Sequence, residues 1–463
     1  MDKHRSPFVK LSWLLIILLV FGIAAIQTMP EKVENGDSED PVGLLMTQIQ
    51  GEYLLGVASL LGAKNEIASQ AIILDAGSVS QRQRYMAFMI ALGEPELAKQ
   101  SALKMRVEIA DYDIEMTEQQ TKIQEELDLL ADGVIASDTD YSLEESLGWF
   151  GKLVVANETE KDMMESEAGT KVLTVVVVVS LVTVAAIAGF IGVIILLVRA
   201  LGGYLRSGLV DSEKHHGIYA EVFVVWLILF TILMIVAGVL GNLIAGNNTF
   251  VSMLFLLGAF LSSLSALAWA RVRGVGWSQI RKDIGWVKGK GVLTECAWGV
   301  AGYAMMLPIL AVGILLVLLF ILIQSVLLGD SASNPFAGTG GPSHPMVLDI
   351  ASGGWSVRIL LVVLAAVVAP IVEETMFRGV LYRQLRTSSN KLILPLSIIG
   401  SILLTSFIFA AIHPQGWVAI PALMAIAIGM NIMREWRGTL IPSIIVHGVS
   451  NGLVISLMLV FLS

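Results

Sequence analysis

The chain is poor in charge and almost without cysteine. Of its 463 residues only 15% are Asp, Glu, Lys or Arg, against 55% hydrophobic, a balance that excludes an ordinary soluble protein. The single cysteine, Cys296, excludes an internal disulfide and a cysteine-rich zinc cluster. It opens a hydrophobic run and reads as a small buried side chain rather than a reactive thiol. There is no His-Glu-x-x-His string and no Gly-x-x-x-x-Gly-Lys phosphate loop, so conventional zincin and nucleotide-driven mechanisms lose their signatures. No nucleic-acid partner is expected.

What the chain has instead is a series of long apolar runs. Stretches near residues 172–198, 219–245, 250–270, 294–328, 356–382, 392–413, 417–433 and 439–462 each have the length and composition of a membrane-spanning helix. The first thirty residues imitate a signal peptide, with Lys3, Arg5 and Lys10 ahead of Leu11–Ile26. That run is followed by Gln27-Thr28-Met29-Pro30, which lacks a small-x-small cleavage pattern, so an uncleaved anchor is expected. The predicted fold is all-α: a polytopic membrane bundle of about eight or nine transmembrane helices with an inserted soluble helical domain.

Charge divides the chain further. Residues 31–170 carry 28 acidic and 10 basic groups, whereas the remainder carries 11 acidic and 20 basic. The expected organisation is an N-terminal membrane anchor (1–30), an acidic helical domain (31–170), additional transmembrane helices (171–290) and a C-terminal membrane domain (291–463). Residues 31–40 read as an acidic linker, and Gly93-Glu94-Pro95 as a break between two amphipathic helices. The basic residues alternate between loops: Arg199, Arg206 and Lys214; Arg271 through Lys290; Arg383, Arg386 and Lys391; Arg434 and Arg437. By the positive-inside rule this predicts a cytoplasmic N-terminus and an extracytoplasmic acidic domain; a prokaryotic cell membrane is the expected location. Membrane lipids are one expected partner, and the acidic outer domain offers a surface for another. Trp277, Trp286, Trp355 and Trp417 fit interfacial anchors. His215-His216 and the His344 loop fit solvated segments.

Ionisable groups inside spans are costly and therefore candidates for function. Glu373 and Glu374 end the apolar run Leu360–Val372, and Arg378 follows on the face of Glu374. His413 ends Phe407–Ile412, and His447 and Asn451 share one face of the last helix, four residues apart, among small residues. A lone pair of charges would be satisfied by a structural salt bridge, and a lone histidine by an interhelical hydrogen bond. Together the set is sufficient for peptide hydrolysis. A buried carboxylate beside a like charge becomes a better proton acceptor for water, and a histidine can orient that water or carry the proton. A second histidine and an amide can stabilise an oxyanion. The same Glu373, His413 and His447 could hold Zn²⁺ or another divalent metal, and a metal-free mechanism is equally compatible.

Three strings carry a family resemblance. Glu373-Glu374-Thr375-Met376-Phe377-Arg378 resembles the Glu-Glu-x-x-x-Arg motif of the CAAX protease and bacteriocin-processing (CPBP) family of intramembrane peptidases. Phe409 to His413 matches its Phe-x-x-x-His motif, and His447 to Asn451 its His-x-x-x-Asn motif, in the family's order. The resemblance covers roughly residues 290–463. It implies Glu373 as general base with His413, His447 and Asn451 at the oxyanion, and Arg378 holding Glu374 or its helix. It implies an endopeptidase acting on membrane-associated peptide or protein substrates, lipid-anchored ones among them, with either a glutamate or a metal mechanism. The competing readings are a catalytically inactive scaffold or immunity protein and a proton-coupled transporter.

The resemblance carries a geometric tension. Glu373 and His447 lie about 15 Å along a helix from Arg383 and Arg437, whereas His413 lies about 33 Å from Lys391. A shared site therefore requires that the span 392–413 starts deep, tilts, or breaks near Pro395, or that the Pro414 turn dips inward.

Overall fold

The computed structural model describes residues 6–27, 41–134, 143–204, 206–209, 217–246, 248–328, 348, 353–389 and 391–462. The acidic linker, His215-His216, Lys214 and the His344 loop lie outside the described residues. Every element among the described residues is helical, and nine helices are long and apolar enough to cross a membrane. The protein is an integral membrane protein with a polytopic helical bundle.

Two compact units emerge. One comprises residues 30–179, 327–343 and 457–463; the other comprises 1–29, 180–326 and 344–456. In the first, α1 (Pro41–Leu61), α2 (Lys64–Gln70), α3 (Val79–Ala91), α4 (Pro95–Tyr112) and α5 (Glu118–Ala131) surround a core of their own. Helix α3 is the central one. A capping box of Ser78 and Gln81 starts it, and Tyr85 through Met89 are all buried. The break falls at Leu92–Glu94, because Gly93 adopts φ +84° and Pro95 sets the first turn of α4. Arg82 and Lys171 are held by Glu108 and Glu52. After two short helices, Leu143–Leu147 and Trp149–Val155, α6 runs unbroken over Glu158–Leu201. The apolar run predicted from 172 therefore marks a change of solvent within a helix and not its start.

In the second unit the N-terminal helix Val9–Gln27 buries Ile16 and Val20 in the main core. Its preceding Ser6 hydroxyl hydrogen-bonds Glu221, which also accepts from the Trp269 indole (2.8 Å) and pairs with Arg273 (3.1 Å). The spans α7 (Ile218–Leu240), α8 (Thr249–Ser263) and α9 (Val292–Leu328) precede the C-terminal helices. A chain of rings runs through the core: Phe260 to Phe230 (5.0 Å), Phe230 to Trp226 (5.4 Å), Trp226 to Phe377 (5.6 Å) and Phe377 to Phe409 (5.1 Å). Three of these four contacts are edge-to-face, which fixes ring orientation as well as burying area, and the Phe409 end of the chain lies at the candidate site.

Candidate active site

The glutamate pair sits in a composite helix over Trp355–Ser388 that is not uniformly α. It passes through α10 (Trp355–Val363), a π segment (Leu364–Val368), α11 (Ala369–Glu374), a second π segment (Thr375–Leu381) and α12 (Tyr382–Ser388). Pro370 explains the first irregularity. It has no N–H to offer the carbonyls one turn back, and its ring crowds the Ala366 carbonyl, so the turn widens. Asn451 supplies the missing donor, giving Nδ2–H to the Ala365 carbonyl at 2.9 Å. Gly448 lets the last helix, α15 (Ile441–Leu462), approach: a Cβ there would stand 2.5 Å from the Ala366 oxygen. The small residues around His447 thus receive a helix. Gly448→Ala is expected to cost about 1–3 kcal/mol by overpacking, read as a lowered thermal midpoint of the purified protein; an unchanged midpoint would contradict the packing described.

Helices α13 (Leu394–Ala411) and α14 (Ile420–Arg437) pack along one another, and the buried Asn431 donates to Ser406 Oγ across them at 3.0 Å. His413 follows the end of α13. Pro395 lies in that helix's first turn, so a break there, one of the four alternatives, is absent. The tension over His413 came from using arginines as markers of the water level. Arg383 faces Asp283 at 3.8 Å, Arg437 pairs with Glu295 at 2.7 Å, and both are largely buried. Arg434 is fully enclosed, donating to the Arg378 and Asp283 carbonyls at 3.3 and 2.9 Å. Structural cations give no depth scale, and the site closes without a broken helix.

The two histidines meet at one oxygen. His413 Nε2 lies 3.7 Å and His447 Nε2 3.9 Å from Glu373 Oε2. Each ring has its other nitrogen occupied. His413 Nδ1 faces the Phe409 carbonyl at 2.5 Å, and His447 Nδ1 faces Glu374 Oε1 at 2.9 Å. A carbonyl and a carboxylate only accept, which assigns the proton of each neutral ring to Nδ1 and its lone pair to Nε2. Glu373 Oε2 itself has no hydrogen-bond partner within the protein. Three acceptor atoms therefore face one another.

Glu374 plays a different part from its neighbour. It is fully buried, pairs with the equally buried Arg378 at 2.9 Å and orients His447. Arg378 also donates to the Ala427 carbonyl at 3.3 Å and lies 4.5 Å over the Phe409 ring. Phe409, 2% exposed, contacts His413 at 4.1 Å and His447 at 5.9 Å between centroids. It was legible only as the first letter of a motif; its role as a common floor needs three dimensions. Among the described residues no group of three His, Cys, Asp or Glu side chains is placed to hold a metal ion. Gly448-Val449-Ser450-Asn451-Gly452 also spells a Gly-x-Ser-x-Gly string. It lies within the continuous α15 with Ser450 buried, not on the strand-to-helix turn that exposes a nucleophilic serine.

No curated protein and no solved structure matched the chain. A family model described as type II CAAX prenyl endopeptidase Rce1-like matches residues 355–453, a narrower stretch than the 290–463 expected from the motifs. It starts with the composite helix and takes in all six of the residues singled out above. The spans before it and the acidic helical unit have no counterpart in that match. Through residues 355–453 the chain is similar to that family of membrane proteases, which supports the CAAX protease and bacteriocin-processing family that the three motifs resemble.

Proposed function

We propose that the protein is an intramembrane endopeptidase in which Glu373 activates the hydrolytic water. The observation that carries the reading is the convergence of both histidine Nε2 atoms on Glu373 Oε2, with Nδ1 of each ring engaged elsewhere. Water has two hydrogens to offer three acceptors, so a water lodged between them is held with its oxygen free to attack. As that oxygen bonds to the scissile carbonyl carbon, Glu373 takes one of its protons. The carbon–nitrogen bond then breaks, and the proton passes to the leaving amine, with His413 placed to relay it. Oxyanion stabilisation by His447 requires a second proton on its ring, because the neutral form presents a lone pair. Asn451 has one amide N–H committed to Ala365 and one left to donate.

The substrate is proposed to be a membrane-associated peptide or protein, since the site is built from spanning helices. The experiment is digestion of a peptide library by the purified full chain and by His447→Ala, each with and without a chelator. The expected result is cleavage by the wild type that His447→Ala reduces by about 10²-fold or more. Equal cleavage by both proteins would eliminate the site. Loss of cleavage with chelator and its recovery with added Zn²⁺ would overturn water activation by Glu373 alone.

A further inference from the structure

The segment joining the spans Thr249–Val272 and Val292–Ile323 carries a cluster that peptide hydrolysis does not use. Its short helix, Trp277–Ile284, turns Ile280 and Ile284 into the core, where both are fully buried. Asp283 also points inward, accepting from the Tyr219 hydroxyl at 2.8 Å. The opposite face leaves Trp277, Arg281 and Lys282 exposed, and the following loop leaves Trp286, Lys288 and Lys290 exposed. Of the neighbouring carboxylates, Asp283 lies against Tyr219 and Arg383, and Glu295 pairs with Arg437 while also accepting from the Lys290 amide at 3.0 Å. Four outward cations and two outward indoles remain at the ends of two spans.

We propose that this face binds the headgroups of anionic phospholipids. A segment tied at both ends to spanning helices lies at the level where hydrocarbon gives way to headgroups. Indoles belong at that boundary, and clustered lysine and arginine select anionic lipid there. The exposed indoles favour a lipid over a free phosphate, which would gain nothing from them.

The face is bonded to the helices that carry the candidate site. The Trp286 indole donates to Thr375 Oγ1 at 3.0 Å, and Thr375 directly follows Glu374. The Gly285 carbonyl accepts from the Leu440 amide at 3.0 Å and the Val287 carbonyl from the Thr439 hydroxyl at 2.7 Å, just before the helix of His447. A headgroup seated on the loop therefore steadies the glutamate helix.

The test uses the full-length protein in phosphatidylcholine bilayers containing a trace of spin-labelled phosphatidylcholine or phosphatidylglycerol. The immobilised fraction of each label reports relative association. The wild type is expected to prefer the anionic label about fivefold or more at low salt, the preference shrinking as salt rises. Replacing Arg281, Lys282, Lys288 and Lys290 together by glutamine should bring the preference close to unity, whereas exchanging lysine for arginine and arginine for lysine at the same four positions should keep it. Equal immobilisation of the two labels by the wild type, or an undiminished preference in the glutamine variant, overturns the proposal. Hydrogen exchange at residues 371–378 should slow on adding phosphatidylglycerol to the wild type and not to Trp286→Phe. Exchange unaffected by the anionic lipid in the wild type would overturn the link to the glutamate helix.

Discussion

Replacing Glu373 with glutamine is expected to slow peptide hydrolysis by about 10³-fold while leaving the protein folded. The side chain is 17% exposed and is the point on which both histidines converge, yet its Oε2 makes no hydrogen bond within the protein. Glutamine keeps the volume and removes the basic oxygen. It takes away a proton acceptor without opening a cavity or stranding a charge, so the unfolding midpoint should stay at the wild-type value. Glu374→Gln should behave in the opposite manner. Glu374 is fully enclosed and shared between Arg378 and His447, so its neutral replacement should lower stability first and rate second. Rates and thermal midpoints of the two variants, measured side by side, check the assignment. Comparable losses of rate at unchanged stability in both would refute the division of labour between the two carboxylates.

The second large effect belongs to Arg378. Arg378→Met is expected to destabilise the protein by about 3–5 kcal/mol, because it leaves a carboxylate buried without its counter-charge. Both members of the pair are 0% exposed, so water cannot compensate in place. The guanidinium also fills the space over Phe409 and satisfies the Ala427 carbonyl, and those contacts go with it. Removing the charge from both sides separates the two contributions. In the double variant Glu374→Gln with Arg378→Met much of the stability should return, since no unpaired charge remains. Activity should not return, because His447 has lost the carboxylate that fixes its ring and tautomer. A double variant no more stable than Arg378→Met would show that packing, and not charge burial, dominates.

Much of this architecture was readable from the chain. Apolar runs long enough to span a bilayer located the membrane helices, because hydrocarbon forces every span to satisfy its own backbone and to exclude charge. The same cost made Glu373, Glu374, Arg378, His413 and His447 conspicuous, and three short strings with fixed spacing carried the family resemblance. Helix ends followed local signals, as at Gly93 and Pro95.

What remained hidden depends on contacts between residues far apart in sequence. His447 and Glu374 are 73 positions apart, and no periodicity links them. Their bond changes Glu374 from a second carboxylate into the group that orients a histidine. Pro370 was an unremarkable residue of an apolar run until the π turn it induces was seen to receive Asn451. Arg383, Arg434 and Arg437 looked like loop charges and are buried partners of Asp283, Glu295 and backbone carbonyls. The reason is common to all of them. Sequence states which groups are too costly to leave unpaired in hydrocarbon, and only packing between helices decides which partner meets that cost.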